Sequence, residues 1–342
     1  SLVLFLLKKL GVEYMRMKIF ITRRIPEKGL SLLTRRYDVE MNEEERQLSR
    51  NEIMDRVRQC DGLVCLLSDK IDRKVMEISD QLKVISNFAV GYDNIDIEAA
   101  TKLGIVICNT PGVLTNAVAD LVCALIISIA RRIVESDDFV RKGKFKGWGP
   151  MLMRGYDVYG KTLGIIGMGR IGKAVAARAK GFSMKILYYD IEHLNDDDEK
   201  LLNAYYCSLN ELLSQSDFIS LHTPLTKNTI KLIGRNEFRL MKRTAIFVNT
   251  SRGQVVDEEA LVEALREKII AGAGLDVFEK EPEIHPGLLS LSNVVLLPHI
   301  GSATIETRSK MAIIVAENII NTLEGCKHSN IVNKQVWNCR RI

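Results

Sequence analysis

Aromatic side chains make up only 6% of this 342-residue sequence, and no apolar stretch approaches the length a bilayer requires. Without such a stretch no membrane span is expected. The seven cysteines form no C-x-x-C pair and the five histidines no H-E-x-x-H arrangement. A disulfide framework and a metal centre therefore drop out of the reading, and reduced thiols point to the cytoplasm. Charge of one sign is also missing as a block. The 48 basic residues exceed the 43 acidic ones by only five and lie scattered, so nucleic acid is not an expected partner. What remains is 46% hydrophobic and 27% charged, the balance of a packed body rather than a disordered chain. At this length one core usually gives way to two. Ser1 to Leu10 carries a six-residue apolar run followed by Lys8 and Lys9, an order and length that do not suit a signal peptide. Residues 1–16 read as an extension, either a remnant or an upstream translation start.

From Lys18 onward, short β-rich runs alternate with longer amphipathic ones. Lys18–Thr22, Gly62–Leu66, Lys83–Asn87 and Ile105–Ile107 read as strands, and Ala117 to Val140 as one long buried helix joining two domains. After the Gly- and Pro-containing stretch 143–160 a second series begins. Its strand candidates are Thr162–Ile166, Lys185–Tyr189, Phe218–Leu221, Ala245–Asn249, Ala271–Leu275 and Val294–Leu297, with a last helix from Thr304 to Leu323. This βα rhythm predicts an α/β protein of doubly wound parallel sheets. No pattern is legible from Lys334 to the end.

Between the strand Thr162–Ile166 and the amphipathic run Ile171–Lys180 stands G-M-G-R-I-G, with Gly167, Gly169, Arg170, Ile171 and Gly172. Alone, the motif is a weak signal, because glycine-rich turns are common. Placed between strand and helix it reads as a dinucleotide fingerprint: a tight turn, a close approach to pyrophosphate, and helix–sheet packing. Asp190 ends the next strand, eighteen positions after Gly172, where a carboxylate accepts from the ribose hydroxyls and repels a 2′-phosphate. NAD(H) is favoured. NADP(H) stays open, because Arg170 and His193 are near enough in sequence to take a phosphate.

Reduction of a keto acid needs a cation for the carboxylate, donors for the carbonyl and a proton source. Three motifs supply candidates, each just after a strand: Arg252 in V-N-T-S-R-G, Glu281 in L-D-V-F-E-K-E-P and His299 in L-P-H-I-G-S-A. With F-A-V-G-Y-D-N-I-D, N-T-P-G-V-L-T-N-A-V-A-D and the glycine fingerprint, they make the sequence resemble the D-isomer-specific 2-hydroxyacid dehydrogenases, and among these the glyoxylate/hydroxypyruvate reductases. The likeness covers about Lys18 to Asn333.

The resemblance implies two Rossmann-like domains. A nucleotide-binding domain, residues 117–302, would be inserted in a split, flavodoxin-like substrate domain, residues 17–116 and 303–333, followed by a tail at 334–342. It implies that Arg252 holds the substrate, that His299 is the general acid or base, and that Glu281 orients it. It further implies that the backbone at Val90 and Gly91 binds the substrate carboxylate, and that Thr115 lies near the nicotinamide or phosphates. Ile191 would run beside the ribose, Thr223 and Pro224 would cover the adenine side, and Thr250, Ser251 and Asp276 would line the nicotinamide. NADPH-preferring relatives usually lack an acid at the Asp190 position. Trp148, Met151, Leu152 and Met153 resemble a pocket-wall segment that meets a partner subunit, although an apolar run of this kind is more often core. A homodimer is expected by analogy. The same machinery would serve a gluconate, phosphoglycerate or D-lactate dehydrogenase, although a chain ending soon after Asn333 gives little room for the regulatory domain of some phosphoglycerate enzymes. A non-catalytic NAD-sensing, corepressor-like scaffold is the alternative from another class.

Overall fold

The computed structural model describes residues 16–341; most of the expected N-terminal extension falls outside them. The chain forms two compact units, one from the residues up to Val113 together with those from Thr304 onward, the other Leu114–Ala303.

The first unit is built on five strands: β1 (Lys18–Ile21), β2 (Asp38–Met41), β3 (Gly62–Cys65), β4 (Val84–Asn87) and β5 (Val106–Cys108). They lie parallel in the order β2-β1-β3-β4-β5. Because successive side chains point to opposite faces, each strand feeds two cores. Phe20, Leu63, Cys65, Ile85 and Ile107 pack on one face. Ile19, Ile21, Val64, Val84, Val106 and Cys108 pack on the other, against Val315, Ala316 and Ile319 of the helix Ile305–Leu323. That helix returns to this unit from the far end of the chain. It touches the helix Glu27–Thr34 so closely that a Cβ at Gly29 would lie 2.2 Å from the Ala312 carbonyl oxygen. The segment expected as a tail without pattern is part of this body: Lys334–Cys339 forms a 3-10 turn whose Val336 and Trp337 are buried in the core.

The second unit carries β6 (Thr162–Ile166), β7 (Lys185–Tyr189), β8 (Ala204–Tyr206), β9 (Phe218–Leu221), β10 (Ile246–Asn249), β11 (Gly272–Leu275) and β12 (Val294–Leu296). These are parallel in the order β12-β11-β10-β9-β6-β7-β8, a doubly wound sheet whose strand order reverses between β6 and β9. Leu163, Ile165, Ile186, Tyr188, Ile246 and Val248 fill one face, and Ile166, Leu187, Ile219, Leu221, Phe247 and Leu275 the other.

Two expectations need correction. The run Ala117–Val140 is two helices, Thr115–Ala130 and Ile133–Arg141, because Arg132 takes a left-handed backbone at φ 53° and ends the first. The second contains no buried residue, so only the first half is a core helix. Trp148 and Met151 are not core either; they are 85% and 67% exposed.

Candidate active site

All three candidate side chains sit on loops that leave the carboxyl ends of strands in the seven-stranded sheet, the edge where doubly wound sheets take ligands. Asn249 closes β10 and shapes the Arg252 loop: its amide donates to the Arg252 carbonyl at 2.9 Å, and its oxygen accepts from the Ser251 amide at 3.0 Å and hydroxyl at 2.9 Å. The next residue must be glycine, since a Cβ at Gly253 would lie 1.9 Å from the Phe278 carbonyl carbon. The Arg252 loop and the Glu281 loop are thus pressed backbone to backbone. Glu281 accepts from the Phe278 amide at 3.0 Å and pairs with His299 Nδ1 at 2.8 Å. Burial pushes the Glu281 carboxyl up, but the His299 hydrogen bond and charge, the Phe278 amide and the Arg252 charge together hold it below the ordinary value.

His299 itself has a left-handed backbone, φ 54°, which a non-glycine residue adopts only when its surroundings enforce it. Asp276 holds the chain just after His299, its two carboxylate oxygens accepting the Ile300 and Gly301 amides at 2.7 Å each. Burial raises the Asp276 carboxyl against those two donors.

The glycine fingerprint has the geometry a dinucleotide needs. Gly167 turns at φ 93°, and a Cβ there would strike the backbone of His222 and Thr223 at 2.8–2.9 Å. A Cβ at Gly172 would meet the Gly167 oxygen at 2.2 Å, so helix and turn touch directly, while above Gly169 there is open space within 4 Å. The helix Arg170–Ala179 begins there and presents its N-terminal amides. Asp190 is fixed beside the loop by accepting from the Met168 amide at 2.6 Å and the Ile191 amide at 2.7 Å. Ile191 is 92% exposed, so ordinary packing does not account for it. Of the two residues able to take a phosphate, Arg170 is exposed and His193 lies stacked on Tyr206, with ring centroids 3.6 Å apart. The buried hydroxyls of Thr223 and Thr250 lack partners among the described residues. Pro224 is exposed, and Thr115 opens its helix without a side-chain cap at Leu114. The site therefore fits a nicotinamide dinucleotide by its cradle and by its unpaired polar groups. His222, which follows β9, was not singled out from the sequence; burial pushes its imidazole down to about 3, so it is neutral, and Nε2 lies 2.8 Å from Ser220 Oγ.

In the first unit, Val90 and Gly91 follow β4. Three consecutive carbonyls there are anchored: Ala89 by the Thr110 amide at 2.9 Å, Val90 by Asn109 Nδ2 at 2.8 Å and Gly91 by Asn87 Nδ2 at 2.8 Å. In a trans peptide the N–H points opposite to the carbonyl, so each anchored oxygen turns the following amide away from its anchor. The amides of Val90 and Gly91 have no acceptor among the described residues. Asn87 and Asn109 were invisible as functional residues in the sequence, where each reads as a strand-end turn former; Asn318 extends the support by donating to the Asn109 carbonyl at 2.9 Å.

With this geometry established, comparison with known proteins is decisive. Residues 123–301 match the model of the D-isomer specific 2-hydroxyacid dehydrogenase NAD binding domain. The chain belongs to this family of dehydrogenases. It is 54% identical over 329 residues to a glyoxylate reductase of Korarchaeum cryptofilum, covering 95% of this chain and 98% of that protein. A crystal structure of a Thermus thermophilus protein superposes with a TM-score of 0.88 at 45% identity, covering 92% of this chain and 100% of the other. An NADPH-dependent glyoxylate/hydroxypyruvate reductase of Sinorhizobium meliloti, in complex with NADP and malonate, gives 0.83 at 30% identity over 96% and 99% of the two chains. This dehydrogenase is therefore a nicotinamide enzyme of two parallel α/β units. No helix among its described residues is long and apolar enough to cross a membrane.

Proposed function

We propose that this dehydrogenase uses NADH to reduce glyoxylate to its achiral 2-hydroxy acid or hydroxypyruvate to the D-2-hydroxy acid. The observation that carries the reading is the 2.8 Å contact between Glu281 and His299 Nδ1. It occupies one ring nitrogen and leaves Nε2 to give up the proton, with the lowered Glu281 carboxyl held ionised beside the ring. When bound, the reduced nicotinamide supplies the hydride. Arg252 offers a planar fork to the substrate carboxylate and carbonyl oxygen. The Val90 and Gly91 amides take the carboxylate as backbone donors.

Gly167, Gly169, Arg170, Ile171 and Gly172 hold the pyrophosphate, with Asp190 on the ribose and Ile191 beside it. Thr223 and Pro224 cover the adenine side, and Thr115, Thr250, Ser251 and Asp276 surround the nicotinamide. Asp276 retains a lone pair on each oxygen for the carboxamide after accepting the two loop amides. Preference for NADH rests on the fixed Asp190 carboxylate, which would repel the additional phosphate of NADPH. The choice of substrate rests on the relatives' activity. Exposed Trp148, Met151 and Tyr159 support a homodimer, and seven free cysteines a reducing cytoplasm.

The test is to follow oxidation of NADH and NADPH with glyoxylate, hydroxypyruvate, pyruvate and 2-ketogluconate. Fastest turnover of one of the first two with NADH is expected. NADH binding without turnover of any keto acid would sink the enzymatic reading in favour of an NAD-sensing scaffold. Sedimentation that finds only monomer would remove the homodimer.

A further inference from the structure

Glu258 stands outside the catalytic set, yet it is a carboxylate only 7% exposed. An acid in the first turn of a helix ordinarily faces solvent and gains a little from the helix dipole. Glu258 begins the helix Glu258–Arg266 but turns inward instead. Burying a carboxylate is costly unless its oxygens are hydrogen-bonded. Both are: Oε2 accepts from the Glu279 amide at 2.7 Å and Oε1 from the His285 amide at 3.1 Å. These donors bracket Glu281. Between them the chain folds back on itself, with the Glu283 amide donating to the Lys280 carbonyl at 2.9 Å.

A second clasp lies at the same base. His285 Nδ1 accepts from the Gly287 amide at 3.0 Å, so Nε2 carries the hydrogen in the neutral ring and donates to Glu259 at 2.8 Å. The amide of Phe278, next to the clamped Glu279, is the one that Glu281 accepts, and Phe278 is also where Gly253 is pressed against the loop.

We infer that Glu258 is a positioning residue for Glu281: a buried carboxylate that clamps both ends of the segment carrying it and so sets the Glu281–His299 contact. This rests on the proposed Arg252, Glu281 and His299 set. Glu258 touches neither substrate nor cofactor; it acts through the loop.

Glu258→Gln in the full chain is the decisive variant, since glutamine keeps the shape but has one acceptor oxygen and sets an NH2 group against one of the two amides. A loop displaced by a fraction of an ångström is expected to lower kcat per folded enzyme about tenfold, with Glu258→Ala nearer a hundredfold, while KM for NADH stays close to wild type. The donor set against a buried amide lowers the unfolding temperature of Glu258→Gln, so kcat is read below that temperature with the folded fraction measured alongside. The pH–rate profile for reduction should move in the same direction in Glu258→Gln as in Glu281→Gln, because both variants disturb the same Glu281–His299 contact. A Glu258→Gln enzyme with wild-type kcat and an unmoved profile, while His299→Ala is inactive, overturns the inference and leaves the catalytic set intact. Loss of kcat in proportion to loss of folded protein, with the profile unmoved, also overturns it. An active His299→Ala enzyme overturns the catalytic set and the inference with it.

Discussion

Around Val90 in one unit and around His299 in the other, the backbone is fixed with opposite chemistry. In the five-stranded unit neutral amides do the anchoring: Asn109 holds the Val90 carbonyl and so turns the Gly91 amide away, the Thr110 amide does the same for Val90 through Ala89, and Asn87 holds the Gly91 carbonyl. In the seven-stranded unit ionisable carboxylates, Asp276 and Glu281 among them, accept backbone amides and hold loops in place around His299. Donors on the first loop leave main-chain amides without a partner among the described residues, as the proposed binding of the substrate carboxylate requires, whereas accepting side chains consume main-chain donors to aim a side chain. The first device needs no charge. The second places charge beside His299, the proposed proton donor.

The comparison breaks most visibly at His299. Replacement by alanine is expected to reduce kcat by roughly 10²–10⁴-fold while fluorescence titration still finds NADH bound. Next comes Asn109→Ala, which leaves the part-buried Val90 carbonyl without its donor. It should destabilise the unit by about 1–3 kcal/mol and raise KM for the keto acid more than it lowers kcat, as denaturation and steady-state kinetics would show. An unchanged KM would detach the asparagine support from substrate binding. Asp190→Ala should narrow the ratio of NADH to NADPH efficiency by roughly tenfold, the scale of one charge-assisted hydrogen bond. The smallest effect is on pH stability. Because the folded Glu281 carboxyl lies below its ordinary 4.5, the unfolded chain binds more protons in that window. Its contribution is therefore present above about 4.5 and fades as the pH falls through the folded value. Glu281→Gln should flatten that part of the curve of unfolding temperature against pH.

Much of the seven-stranded unit was legible because its central strands are largely apolar and β6, β10, β11 and β12 end on chemically distinctive loops. Thr162–Ile166 followed by Gly167 is the clearest case, reproduced residue for residue in β6. The edge strands β2, Asp-Val-Glu-Met, and β8, Ala-Tyr-Tyr, went unseen because they are short and largely unburied, so no run of apolar residues marks them. The break at Arg132 has no glycine or proline to announce it; a left-handed arginine between two amphipathic stretches looks like continuous helix. Arg252, Glu281 and His299 could be picked out because their chemistry is in their side chains. Asn87, Asn109 and Glu258 could not, since an asparagine after a strand and an acid at a helix start are also what turns and helix ends demand by themselves. Only their partners, distant in sequence, reveal the difference.

The anchored carbonyls of Ala89, Val90 and Gly91 carry a genetic consequence. Donors that belong to the main chain are encoded by every codon except proline's, so exchanging the side chain at Val90 leaves its N–H in place. The vulnerable codons are those for Asn87, Asn109 and Asn318, which touch only the scaffold. If the Val90 and Gly91 amides hold the acid as proposed, variants that weaken its recognition would map to these scaffold asparagines, and a search confined to the binding loop would pass over them.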